Sequence, residues 1–141
     1  MNIAFVYNIK LISPSLTDER AQIYAEFDAP ETIEGIKKAI EANGHRVHMV
    51  EANEEAYLKL KKLKDSKQVD LVFNIAEGFY GEAREAQIPA MLEMLQIPYT
   101  GSDPLTLAIC LDKSRAKEIL SYYNIPTPRF KVVSDSAQIS G

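Results

Sequence analysis

The stretch Asn2-Ile3-Ala4-Phe5-Val6-Tyr7 decides the fold. Its almost unbroken apolar character suits a strand covered on both faces, as in a parallel sheet. The run Val69-Asp70-Leu71-Val72-Phe73-Asn74 repeats that character further on. Between the two the periodicity is helical. Ile33, Ile36 and Ile40 stand at i, i+3 and i+7 and make one stripe over residues 30–43. Asp28 is placed to cap that helix, Pro30 suits its first turn, and Gly44 suits its end. Over 45–50, Val47 and Met49 alternate with His45, Arg46 and His48, the pattern of a strand near a sheet edge. A lysine-rich helix over 53–64 carries the seam Tyr57, Leu60 and Leu63. A helix over 86–95 buries Ile88, Met91, Leu92 and Leu95, with Pro89 in its first turn. Ile97-Pro98-Tyr99-Thr100 reads as a fourth strand, and Gly101-Ser102-Asp103-Pro104 turns into an apolar helix over 105–111. Asp112 caps a last helix over 113–123, with Ala116, Ile119, Leu120 and Tyr123 on one face. Strands alternating with helices predict an α/β fold with a parallel sheet.

Length and composition narrow the possibilities. The chain has 141 residues, 46% hydrophobic and 26% charged, which fits one ordinary globular domain and excludes a coiled coil or a collagen-like chain. Apolar runs are too short for a membrane span. The apolar N-terminus lacks a basic leader and is read as a strand, so a cytoplasmic protein is expected. The single cysteine, Cys110, agrees with a reducing compartment and is expected to be a small buried hydrophobe. The net charge of −4 and the lack of a basic block argue against a nucleic-acid or anionic-membrane partner.

Two long polar connections follow the first and third strands, from Asn8 to Ala29 and from Ile75 to Glu85. In open α/β sheets ligands bind beyond the carboxyl ends of the strands, so both loops belong to the candidate site. The second is the richer. Gly78 and Gly81 let backbone approach a ligand, and Glu77, Glu82, Arg84 and Glu85 supply charge. Its amides, leading into a helix, offer a place for an anion or a substrate carboxylate. A solvated connection with an acidic helix start would look the same. The first loop offers Tyr24, Glu26 and Asp28, of which Glu26 suits a substrate ammonium. Lys113 opens a helix, where the dipole disfavours it unless a phosphate is bound; an exposed lysine is the commoner outcome. His45 and His48 point to opposite faces and make no metal pair. The lysines from Lys59 to Lys67 read as a solvated helix face, and no Ser-His-Asp or Cys-His set can be assembled.

The segment Ile97-Pro98-Tyr99-Thr100-Gly101-Ser102-Asp103-Pro104, then Leu111-Asp112-Lys113, then Ile125-Pro126-Thr127-Pro128 resembles the D-alanine–D-alanine ligases. These are carboxylate–amine ligases of the ATP-grasp superfamily. Val72-Phe73-Asn74, Gly81-Glu82, the first strand and Asn43-Gly44-His45 fit the same alignment, so the resemblance covers nearly the whole chain. It implies a Rossmann-like pre-ATP-grasp domain, an open parallel sheet flanked by helices, over 1–125. Residues 126–141 would then be a linker and the start of a truncated ATP-grasp domain, with Phe130-Lys131-Val132-Val133 as its opening strand. The implied reaction joins two amino acids through an acyl phosphate made with ATP and Mg²⁺, a step of peptidoglycan precursor synthesis if the substrate is D-alanine. By the resemblance, Lys113 meets ATP phosphates and Glu26 holds the first substrate's ammonium. Glu77, Gly78, Glu82 and Arg84 shape the substrate pocket, and two copies pair into a homodimer. The Mg²⁺ ligands and most nucleotide contacts lie outside this chain, which alone should be inactive.

The chain also departs from that family. Glu77-Gly78 stands where His-Gly is usual, and Gly81-Glu82-Ala83-Arg84 stands for Gly-Glu-Asp-Gly. The loop after the first strand lacks the usual Gly-Gly and serines. A ligase for another amino-acid pair is therefore an alternative. A non-catalytic α/β module that binds a small ligand is another. Against a receiver-type module, no acidic pair follows the first strand, and Asp70 lies within the third.

Overall fold

The computed structural model describes residues 1–10 and 25–133. Three parallel strands form its sheet: β1 (Asn2–Tyr7), β2 (Arg46–Glu51) and β3 (Leu71–Asn74), in the order β2-β1-β3. Register is set by Ile3 opposite Val47 on one side of β1 and opposite Leu71 on the other. The expected fourth strand is a single parallel bridge between Val72 and Tyr99. Val72 donates to the Pro98 carbonyl and accepts from the Thr100 amide. Pro98 has no amide of its own to extend the ladder.

Among the described residues five α-helices accompany the sheet: α1 (Pro30–Ala42), α2 (Ala56–Asp65), α3 (Gln87–Leu95), α4 (Pro104–Leu111) and α5 (Lys113–Tyr122). The α/β reading is borne out. The central position of β1 explains its composition, because Ile3, Ala4, Phe5 and Val6 are all buried. Ala4 and Val6 face a core made with Val50, Leu60, Val72, Ile88, Leu92 and Ile97. By alternation Phe5 faces the other way, with the Tyr7 and Phe73 rings at centroid distances of 5.4 and 5.8 Å. Each face is covered by helices.

Several expectations are corrected. Asp28 does not cap α1. The N-cap is Ala29, because Pro30 takes the first helical position, and Asp28 sits in a parallel bridge with Ile9. The lysine-rich helix starts at Ala56; a turn precedes it, closed by the Asn53 side chain on the Glu55 amide. Cys110 is exposed, not buried, because none of the α4 residues is fully covered. Residues 130–133 form no strand. Instead Lys117 ties the preceding segment to α5, donating to Thr127 Oγ1 and the Pro128 carbonyl, with its ammonium 5.4 Å from the Phe130 ring centroid. The edge position of β2, the Gly44 turn after α1 and the Asp112 cap of α5 are as expected.

Candidate functional site

From β1 the chain crosses to β2 on one side, then returns to β3 on the other. The order therefore reverses between β1 and β3, the place where open parallel sheets leave a crevice at their carboxyl edge. A cleft of about 410 Å³ lies there. Glu26 and Asp28 reach it from the connection after β1, and residues 74–77 with Glu85 from the end of β3 and its loop. Ile36 of α1, Gly101, Ser102 and Leu107 of α4 close the remaining wall.

Charge concentrates in this cleft. Carboxylate oxygens of Glu26, Glu77 and Glu85 lie within 4.8 Å of one another. Arg84 pairs with Glu26, holding a guanidinium against one of the three. The Arg84 side chain is 13% exposed, and its buried Nε has no hydrogen-bond partner among the described residues. The Glu77 carboxyl is held above the ordinary glutamate range, first by burial, then by the charges of Glu85 and Glu26; Arg84 opposes the rise and Asp28 adds to it. One guanidinium among several carboxylates leaves the cleft net acidic, suited to a cation such as a substrate ammonium.

The loop after β3 is built around two close constraints. Gly78 is buried with φ of +82°, and a Cβ there would collide with the Arg84 carbonyl. Gln87 accepts from the Phe79 amide at 3.0 Å and donates to the Tyr80 carbonyl. The Arg84 amide goes to Gly81 and the Ala86 amide to Ala83. Three of the loop's amides, those of Phe79, Arg84 and Ala86, are thus engaged within the loop itself.

The structure thus brings Glu26, Glu77 and Arg84 together, with Gly78 supporting them from behind. Glu82 is exposed and does not line the cleft. Lys113 is also exposed and outside the cleft wall. The N-terminal amides of α5 do not offer a phosphate site, since the Asp112 carboxylate already accepts from Ser114 and Arg115 at 2.9 and 3.2 Å. Lys113 itself offers a single exposed cation. Tyr24 lies outside the described residues. Sequence reasoning missed Asn8, which is 4% exposed beneath the cleft and receives the Glu77 amide. The available signal was a polar side chain closing an apolar strand.

Fold and cleft together define an open parallel α/β domain with an acidic cleft at its carboxyl edge. Its relatives are more particular. The chain is 33% identical over 104 residues to an uncharacterised protein of Sinorhizobium fredii, covering 71% of this chain and 31% of that protein. It is 42% identical over 74 residues to the D-alanine–D-alanine ligase of Pelotomaculum thermopropionicum, 52% of this chain and 22% of that one. The Aquifex aeolicus ligase gives 36% over 97 residues, 69% and 31%. Among solved structures, the D-alanine–D-alanine ligase of Bacillus anthracis matches with a TM-score of 0.59 and 26% identity, over 92% of this chain and 37% of that one. No protein-family model matches. The resemblance read from the sequence is therefore borne out: the chain matches part of D-alanine–D-alanine ligases in sequence and in fold, consistent with their N-terminal domain. It spans about a third or less of the curated relatives it matches. Among the described residues no helix is long and apolar enough to cross a membrane.

Proposed function

We propose that this chain is the substrate-side domain of an ATP-dependent carboxylate–amine ligase of the D-alanine–D-alanine ligase type. The observation that supports it best is the acidic cleft between β1 and β3, in a chain whose relatives are such ligases. Glu26, Glu77 and Glu85 receive the ammonium of an amino-acid substrate. Arg84, already on Glu26, fixes that carboxylate and tempers the negative charge of the group. ATP, with Mg²⁺, supplies activation of a substrate carboxylate as an acyl phosphate; from this chain Lys113 is the residue suited to meet its phosphates. Residues 1–125 are then the domain, and 126–141 lead into the next. On this reading the protein works in the cytoplasm as a homodimer.

Glu77 adds a carboxylate to the substrate face, which favours a more cationic substrate than one neutral side chain would. D-Alanine is one amino acid to try, with a role in peptidoglycan synthesis if it proves the substrate; others belong in the same assay. The test is ADP release by the native polypeptide that carries this chain, given ATP and paired amino acids. Amino-acid-dependent release is expected. Glu26→Gln should raise KM for the first amino acid by about tenfold or more, the scale of one lost charged hydrogen bond. The 141-residue chain alone should show no turnover. Robust turnover by it, or ADP release indifferent to amino acids, would overturn the proposal.

A further inference from the structure

Asn8 is the one buried polar residue among the described residues, at 4% exposure. It stands just beyond the end of β1 and touches three separate segments. Its side-chain amide donates to the Ala52 carbonyl, past the end of β2, at 2.9 Å. Its side-chain oxygen accepts from the Glu77 amide, past the end of β3, also at 2.9 Å. Its backbone carbonyl accepts from the Asp28 amide at 3.2 Å, and the Asp28 carbonyl in turn accepts from Lys10. Glu77 and Asp28 line the cleft; Asn8 does not.

A buried primary amide with both ends satisfied is costly to move, since any shift strands a donor or an acceptor. Here the two ends grip different strand termini. We propose that Asn8 is the positioning residue of the cleft: from beneath, it fixes the backbone of Glu77 and Asp28 and so sets where the Glu77 carboxylate stands against Glu26 and Glu85. This placement serves substrate binding if the ligase reading holds, but the hydrogen-bond geometry itself does not depend on that reading.

The test needs no substrate. The Glu77 carboxyl is followed by ¹³C NMR titration in the whole chain and in Asn8→Ala. The groups that face Glu77 are Glu85, Glu26, Arg84 and Asp28, and all stay in place in the variant's sequence. Loss of the anchor lets the carboxylate swing toward solvent. Its midpoint should fall by roughly half a pH unit, about a threefold change in proton affinity. An Ile33→Val control loses packing in α1 but removes no hydrogen bond of Asn8, and should leave the Glu77 midpoint where it is. An unchanged midpoint in a folded Asn8→Ala would overturn the proposal. Should Asn8→Ala fail to fold, hydrogen exchange on the unaltered chain decides. A Glu77 amide protected together with the Asn8 side-chain amide supports it; a Glu77 amide exchanging as an open loop amide does overturns it. A ligase assay that fails leaves both readouts intact, so the two proposals fall separately.

Discussion

At Gly78 the backbone φ is +82° and a side chain would run into the carbonyl oxygen and carbon of Arg84. At Gly81 the φ is +96° but nothing lies within 4 Å of the missing Cβ. The two glycines separate conformational strain from close approach. Gly81→Ala should cost only the strain of a left-handed residue, about 1 kcal/mol. Gly78→Ala adds a backbone collision and should cost about 3 kcal/mol or more, and should loosen the Arg84–Glu26 pair. Urea unfolding of both variants measures this; equal losses would refute the collision. Glu77 gives a second expectation at this scale. Its folded pKa lies above the ordinary glutamate value of 4.5, so the native state binds the proton more tightly than the unfolded chain does. Its contribution is favourable below that ordinary value and is lost as pH rises through the raised one. Glu77→Gln should therefore stabilise the chain at pH 7 and flatten the fall in stability above about pH 4.5. Thermal unfolding across pH 4 to about 8 checks the sign. A Gln variant that loses stability at neutral pH would mean that the carboxylate is better compensated by Arg84 than its surroundings suggest.

At the scale of elements, three aspartates show what local sequence reveals and where it stops. Asp103 and Asp112 each stand next to the first helical residue and both cap, although the sequence reading assigned that role to Asp112 alone. Asp103 accepts from the Thr106 amide, and Asp112 from Ser114 and Arg115. Asp28 looked equivalent, but Pro30 makes Ala29 the cap and leaves Asp28 one residue outside. A proline at the first helical position fixes the boundary more firmly than a nearby carboxylate does. The first three strands, the helix faces of Ile33 and Leu60, and the loop after β3 were legible because periodicity is local. The pairing of Glu26 with Arg84 joins residues 58 apart, and the Asn8–Glu77 bond joins residues 69 apart. No local pattern encodes such contacts; they follow from the β1–β3 pairing, which sequence reading supplied only as a sheet without an order. The fully exposed Asp112 carboxyl is held below its ordinary value, chiefly by the Ser114 side chain and then by the Arg115 amide. Its capping is thus present above the ordinary aspartate value of 3.8 and fades as pH falls below it. Asp112→Ala should speed amide exchange at Ser114 and Arg115, while Asp112→Asn, also a good cap, should not. If alanine leaves both amides as slow as before, the cap is not what holds the first turn of α5.

Over the whole molecule, burial is uneven. Four consecutive residues of β1 are buried, and Leu60, Leu92 and Val72 are completely covered. Neither α4 nor α5 has a single fully buried residue. Leu105, Tyr122, Tyr123 and Ile125 are half exposed or more, at 69, 79, 67 and 50%. Burial of apolar area is the main stabilising term, so the partial burial here leads us to expect that α5 opens without dismantling the sheet. Two free energies of opening should therefore appear in native-state hydrogen exchange. Amides of β1 should exchange only through global unfolding. Those of α5 should exchange through a smaller local opening, with a slope in denaturant well below the global one. Leu60→Ala then separates the two units. It empties a site at the centre of the core and should cost about 2–5 kcal/mol of global stability, carrying the β1 amides with it. The α5 amides, already exchanging by the local route, should scarcely change. If they fall in step with β1, then α5 belongs to the same cooperative unit as the sheet, and the contacts made by Lys117 and the neighbouring helix α4 bind it more strongly than its exposed surface implies.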